Sequence, residues 1–408
     1  MKILGIETSC DETAAAVVED GRILLSNVVL SSMDLHAAYG GVVPEIAARS
    51  HIEAITAVIE QALLEAKYGP SVGSYGLQGA SEQPTEPYAR YEEVAAQPQT
   101  QQLTDNTLAK SSLTQHSKHE SNSLWDDIDA IAVTYGAGLG GSLLVGVMTA
   151  RTLAITKNKP LYAVNHVEGH IYVNFITETT LPNYALPSTQ PKFPILGLIV
   201  SGGHSQLVLW QNHFDYRLLG QTQDDAIGEA FDKVAKILGL PYPGGPSIAQ
   251  KATDGDPLAY SFPKSKMQNK YDYSFSGLKT AVLRTAQAAI GEKHDFPSME
   301  IAQRLTEFKK ANIAASFQRI AVETVVDKTL MAYEEFQPKT VLIGGGVAAS
   351  PELRRQLAER LPIDILYTDP KLCTDNGAMI AALGYFHAIL SQPKADPYTL
   401  EIAPNLSM

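Results

Sequence analysis

The sequence predicts a two-lobed α/β fold, and three observations carry that prediction. The chain has 408 residues, too many for one small core. A β-rich meander occurs twice, over residues 2–32 and again over 194–220. Each copy is followed by segments whose apolar residues recur at helical spacing.

The first meander consists of Ile3–Ile6, the polar turn Thr8–Thr13, Ala14–Val18, the turn Asp20-Gly21 and Ile23–Leu30. The second repeats the plan with Ile195–Val200, the turn Ser201-Gly202-Gly203-His204, Leu207–Trp210 and Tyr216–Leu219. Both are rich in strand formers and bounded by Gly, Asp or Asn. Duplication is one reading of this echo; a chance likeness between two meanders is the other. Helices are expected over Val43–Lys67, over Asp225–Leu238 with its stop at Gly239, and over much of Leu305–Phe336. The expected organisation is an N-terminal lobe at 1–160, a C-terminal lobe at 161–375, and a final segment, 376–408, whose helix returns to the first lobe. Residues 71–123 break the pattern. They are rich in Ser, Gln, Thr, Pro and Gly, bury too little to offset ordering entropy, and read as a disordered surface insertion. His116 and His119 inside it read as solvated side chains.

Composition limits the function classes. The chain is 45% hydrophobic and 19% charged, ordinary for a soluble globular protein. Glu7, Asp11 and Glu12 interrupt the opening apolar run before it can act as a signal-peptide core, and no apolar run of roughly 18 residues suggests a membrane span. Two cysteines, Cys10 and Cys373, make no disulfide framework, so a cytoplasmic location is expected. A net charge of −12 argues against coating nucleic acid by bulk electrostatics.

Several segments carry chemistry. His166 and His170 lie four apart after a predicted strand at Pro160–Val164, so on a helix both imidazoles share one face and can reach one metal ion. With 10 histidines in the chain, roughly 0.2 such pairs are expected by chance, so two ordinary polar histidines remain the alternative. In His166-Val167-Glu168-Gly169-His170 the glutamate is third, unlike the His-Glu-x-x-His of zinc proteases. A third ligand should be a carboxylate, His or Cys; Asp375 is the candidate, with a helix N-cap as its competing role.

Three glycine clusters, Gly136–Gly141, Gly202-Gly203 and Gly344–Gly346, offer backbone N–H groups to a phosphate. The last two follow apolar strands directly, where open α/β sheets bind ligands. None fits a Walker or Rossmann pattern. Asp232 reads from spacing as an ion pair with Lys236. Residues 260–284 interleave lysines with Tyr260, Phe262, Tyr271, Tyr273 and Phe275, which suits either single-stranded nucleic acid or a solvated basic face over core aromatics.

Taken together, nine runs resemble the universal tRNA threonylcarbamoyladenosine transferases, the bacterial TsaD family. They are Gly5–Ala14, Tyr39–Glu45, Gly140–Gly146, His166–His170, Val200–His204, Gly228–Lys233, Tyr242–Pro246, Tyr273–Lys279 and Cys373–Ala378. They occur in the family's order and span the chain outside 71–123.

The resemblance implies an actin/hexokinase/Hsp70-like (ASKHA) fold with a duplicated β-meander plus helices. It implies one divalent metal per subunit, Fe2+ favoured and Zn2+ possible, held by His166, His170 and Asp375. It also implies contacts to an acyl-adenylate from Ile199, Val200, Ser201, Gly202, Gly203, Asp232, Gly245 and Ser350. The implied activity moves threonylcarbamoyl from threonylcarbamoyl-adenylate to tRNA, with a TsaB-like paralogue and a TsaE-like ATPase as partners. Asp11 and Glu12 are the candidate catalytic carboxylates, with turn solvation as their alternative role. Ser350 stands where the family commonly has Asn, and Ala137 where it commonly has Pro. The rival readings are a metalloprotease, and an ATPase or kinase of the same fold.

Overall fold

The protein is described by a computed structural model, which covers residues 1–37, 39–70 and 123–408. The insertion expected at 71–123, with His116 and His119, lies outside the described residues apart from Ser123.

In the first half run β1 (Lys2–Glu7), β2 (Glu12–Glu19), β3 (Ile23–Ser31), α1 (Met33–Ala37), α2 (Pro44–Tyr68), β4 (Ala130–Gly136), α3 (Gly140–Lys157), β5 (Leu161–Asn165), α4 (His166–Tyr172) and β6 (Glu178–Thr179). The second half continues with β7 (Ile195–Val200), β8 (Ser205–Asn212), β9 (Asp215–Gln221), α5 (Ile227–Leu238), α6 (Gly244–Ala252), α7 (Ser276–Ala289), α8 (Ser298–Arg304) and α9 (Glu307–Phe336). It ends with β10 (Thr340–Gly344), α10 (Pro351–Arg360), β11 (Ile365–Leu366) and α11 (Gly377–Ile389).

Two sheets result, ordered β5-β4-β1-β2-β3-β6 and β11-β10-β7-β8-β9. Each is an antiparallel meander whose first strand also pairs in parallel with a later one, β4 on β1 and β10 on β7. The repeated strand order is the duplicated α/β plan that the resemblance implied. Parallel pairing needs a covered crossover, supplied in the first sheet by α2 before β4 and α3 before β5. Strand β7 is buried at all six residues, as a central strand covered on both faces must be. Because β5 and β6 join the first sheet, that sheet draws on the chain as far as Thr179, beyond the boundary expected at 160.

Helix α11 packs against β1, β2 and β4, although the chain has by then passed through the second sheet. It is apolar on nearly every side and buried from Gly377 to Gly384. Two glycines permit the approach: a Cβ on Gly5 would lie 2.2 Å from Gly377 O, and one on Gly377 would lie 2.4 Å from Ala16 N. This contact seats the start of α11, and Asp375 just before it, above the first sheet.

The basic-aromatic stretch resolves as structure. Phe262, Tyr271, Tyr273 and Phe275 are buried in the second core, while Lys264 pairs with Glu323 and Asp327 and Lys270 with Glu335. Those two lysines are paired within the chain, and the aromatics beside them serve the core.

Candidate metal centre and adenylate cleft

The centre begins where β5 turns into α4. Asn165 caps the helix, its Oδ1 accepting from Val167 N at 2.8 Å, and this fixes the first turn that carries His166. His170 follows one turn later, and the two rings stand edge to face with centroids 4.8 Å apart. Asp375 Oδ1 lies 3.5 Å from His166 Nε2 and 3.4 Å from His170 Nε2. One ligand atom from each of the three residues lies within 4.8 Å of the others. The N-cap of α11 is Asn376, whose Oδ1 accepts from Met379 N at 3.0 Å. The cap that competed with ligation at Asp375 therefore falls one residue later, and Asp375 is left to face the histidines.

The residues fit a cation. Both ring nitrogens of His170 are buried and make no hydrogen bond, a costly state for neutral polar atoms. His166 Nδ1 lies 3.2 Å from Glu7 Oε2, so the proton held there stays when a cation displaces the one on Nε2, which is the atom that faces Asp375. Glu7 is fully buried and accepts from Thr134 Oγ1 and Ser9 N. Burial opposes its charge, but His166, Thr134 and Ser9 hold its carboxylate below the usual range. Two imidazoles and one carboxylate form the donor set that suits Fe2+ or Zn2+.

The electrostatics separate the two histidines. Burial, then His166 and His204, push His170 well below its ordinary value, leaving it neutral. Burial also works against charge on His166, yet Asp375 and Glu7 push it up to about 9. Asp375 rises to about 6 through burial and the neighbouring Glu7 and Asp11, with His166 pulling the other way. A cation entering here displaces a proton from His166.

Around this centre lie the groups of the cleft. Asp11 is buried, and burial together with Asp11 and Asp375 pushes Glu12 well above the carboxylate range. The Cys10 thiol is raised well above its ordinary value, first by burial and then by Asp11, Asp375 and Glu12, so it is no thiolate nucleophile.

Ile199 and Val200 are fully buried at the end of β7, and the chain then opens at Ser201, Gly202 and Gly203. Nothing stands within 4 Å of a Cβ on Gly202, Gly203 or Gly245. Among the described residues the N–H groups of Gly202 and Gly203 have no intramolecular partner, which leaves them open to an anion. Asp232 does not pair with Lys236 as spacing suggested; its Oδ1 accepts from Gly244 N at 2.7 Å, at the start of α6 beside Gly245. Ser350 caps α10, accepting from Leu353 N at 3.4 Å.

Three site residues escaped the sequence reading. Glu7 reads as the charge that ends an apolar run. His204, whose ring centroid lies 6.5 Å from that of His166, reads as a turn residue. Burial and His166 lower it to about 4, so a neutral imidazole faces the centre. Tyr242, whose phenol is raised by burial and by Asp11, Asp232, Cys10 and Glu12, opens the run Tyr242–Pro246 but was given no role there. A charged residue closing a nearly wholly buried strand was the available clue for Glu7.

Comparison with known proteins fits this geometry. The sequence profile of the family described as "tRNA N6-adenosine threonylcarbamoyltransferase" matches residues 23–72 and 110–382. A relative of that name from Thermomicrobium roseum is 44% identical over 396 residues, covering 95% of this chain and 92% of its own. Relatives of the same name from Caldicellulosiruptor saccharolyticus and Desulfitobacterium hafniense are 40% and 41% identical, each across 100% of this chain and 98% of their own. Among solved structures, a ROK hexokinase from Thermus thermophilus aligns with 96% of this chain and 99% of its own, at 14% identity and a TM-score of 0.38. The chain belongs to the tRNA N6-adenosine threonylcarbamoyltransferase family.

Proposed function

We propose that this chain transfers threonylcarbamoyl from threonylcarbamoyl-adenylate to the exocyclic amine of the adenosine 3′ of the anticodon, in tRNAs reading codons that begin with A. The observation that carries the reading is the convergence of His166, His170 and Asp375 beside the open Gly202-Gly203 backbone, in a chain of this family.

The open N–H groups of Gly202 and Gly203 hold the adenylate phosphate, and Gly245 leaves room beside Asp232 for the nucleoside. The amine nitrogen bonds to the carbamoyl carbon, the bond from that carbon to the phosphate oxygen breaks, and AMP leaves with the electron pair. Glu12, its basicity raised by burial and by Asp11, accepts the proton that the amine loses. His166, His170 and Asp375 would hold a divalent ion, Fe2+ or Zn2+, which supplies a Lewis acid for the carbonyl oxygen. Glu7 orients His166, and the neutral ring of His204 closes that side without adding charge.

The protease reading lacks a base in the right place: Glu168 is buried and accepts from Tyr216 OH at 3.0 Å. Kinases and ATPases of such folds hold Mg2+ through oxygen ligands, which a histidine pair does not match. A TsaB-like paralogue and a TsaE-like ATPase complete the activity, in the cytoplasm. Ile52 on α2 and Leu144 and Met148 on α3 are exposed apolar side chains that suit a protein partner. No helix among the described residues is long and apolar enough to cross a membrane.

The test is incorporation of labelled threonine into tRNA, with bicarbonate, ATP, an adenylate-forming synthase and both partners. Label should enter with this chain and fall at least a hundredfold with Asp375→Ala. Equal label with the variant would contradict the role of the centre, and no label with the unaltered chain would contradict the activity.

A further inference from the structure

The turn after β10 and the segment carrying Asp375 are separate in sequence, yet one side chain joins them. Arg354, one turn into α10, donates from Nε to Ala348 O at 2.7 Å and from Nη2 to Cys373 Sγ at 3.4 Å. Its guanidinium also lies over the Tyr367 ring, 4.2 Å from the centroid. Ala348 belongs to the helical turn Gly346–Ala349 that leads to Ser350. That turn lies against the end of β7, since a Cβ on Gly345 would sit 2.4 Å from Val200 O and 3.2 Å from Ser201 Cβ. Cys373 is buried two residues before Asp375, and its Sγ donates in turn to Asp369 O at 3.5 Å. On the other side of the same turn, a Cβ on Gly344 would meet His170 O at 2.4 Å. The turn thus touches one metal-ligating residue through packed backbone and the segment of another through Arg354.

The planar guanidinium fork explains the residue type. Two acceptors on different segments, one a carbonyl and one a sulfur, are held at a fixed angle while the flat face rests on an aromatic ring. A lysine ammonium can reach one of them but has no rigid fork or stacking plane.

We infer that Arg354 is a positioning residue that couples the adenylate turn to the metal centre. This rests on the proposed function and on the adenylate contact that the family resemblance implies for Ser350, at the end of that turn. When the adenylate orders the turn, Arg354 and Cys373 order the Asp375 segment with it, so the ion binds a segment already in place. Thermodynamic linkage makes the effect reciprocal.

The test measures zinc affinity of the full chain by competition with a chromophoric chelator, with and without a non-hydrolysable sulfamoyl analogue of threonylcarbamoyl-adenylate. In the unaltered chain the analogue should tighten zinc binding about fivefold or more. In Arg354→Lys that ratio should fall to within about twofold of unity, while zinc affinity without analogue stays within about threefold of the unaltered value. Cys373→Ala keeps the bond to Ala348 and removes the far anchor, so it should lose the ratio too; it carries the test should Arg354→Lys fail to fold. Retention of the full ratio in both variants overturns the coupling, as does a ratio of one in the unaltered chain. Equal weakening of both ligands with the ratio preserved marks a structural role and also overturns it. Failure of the analogue to bind the unaltered chain at all removes the adenylate assignment beneath the inference, an outcome distinct from binding without coupling.

Discussion

Asp232 illustrates how a single side chain carries an energetic cost for a site. Burial, with Glu229 and Asp11, pushes its carboxyl from an ordinary 3.8 up to about 6, and the bond from Gly244 N opposes this only in part. A folded value above the unfolded one means that the folded state takes up the proton more readily. The associated stability is complete below about pH 4 and is lost as pH rises through 6. At pH 8 the charged side chain costs on the order of 2 kcal/mol, allowing for partial exposure. Asp232→Asn keeps an acceptor for Gly244 N and removes the charge. In urea unfolding it should be more stable by about 1–2 kcal/mol at pH 8 and unchanged at pH 4, while binding the adenylate at least tenfold more weakly. A variant less stable at pH 8 contradicts this account of Asp232. At this scale the sequence reading found His166 and His170 because helical spacing is local. It missed Glu7, because the partners that make Glu7 functional, Thr134 and His166, arrive only through strand pairing and the turn into α4. From spacing alone a cap competed with ligation at Asp375, one residue before the observed cap, because Asp and Asn are both good caps and periodicity does not fix the register.

The element on which the centre depends most is α11. Its cap, Asn376, is fully buried, and besides accepting from Met379 N it donates to Leu372 O at 3.1 Å and Thr374 O at 2.7 Å. Asn376→Ala removes all three bonds and strands the buried Leu372 carbonyl. It should cost on the order of 2–3 kcal/mol in chemical unfolding and weaken zinc binding about tenfold, because the same bonds hold the loop that presents Asp375. Asn376→Asp keeps the cap and loses the donors, so it should fall between the two. An alanine variant with unaltered zinc affinity would separate the cap from the centre. Strands of five residues or more were legible from alternation, Gly punctuation and β-branched content, except β4 at Ala130–Gly136, which was not singled out. The two-residue strand β6 was not, since its existence depends on pairing with β3. The basic-aromatic stretch at 260–284 was legible as a pattern but not as a role, which rests on the acids that α9 brings opposite Lys264 and Lys270.

Over the whole molecule, the repeated strand order makes two β-meanders whose first turns, Thr8–Thr13 and Ser201–His204, both border the centre. The duplication was legible as an echo of turn residues and became an architecture only through the order of the sheets. A cation at this position joins α4 to the start of α11 and should stabilise the fold as a bound ligand does. Zinc at about a hundredfold its dissociation constant adds about 2.7 kcal/mol, or a few degrees in the thermal midpoint of a chain this long. Chelation should remove that increment in the unaltered chain and shift Asp375→Ala by less than a degree. A chelator shift retained in the variant would place the stabilising ion elsewhere.

The central claim is that the threonylcarbamoyl group reaches tRNA at the centre formed by His166, His170 and Asp375. The most direct measurement is a single turnover with preformed threonylcarbamoyl-adenylate, followed by digestion of the tRNA and quantification of its modified adenosine by mass. Metal-depleted protein should form the nucleoside at least a hundredfold more slowly than the same protein reloaded with Fe2+ or Zn2+, and reloading should restore nothing in Asp375→Ala. Equal rates in depleted and reloaded protein would contradict the claim.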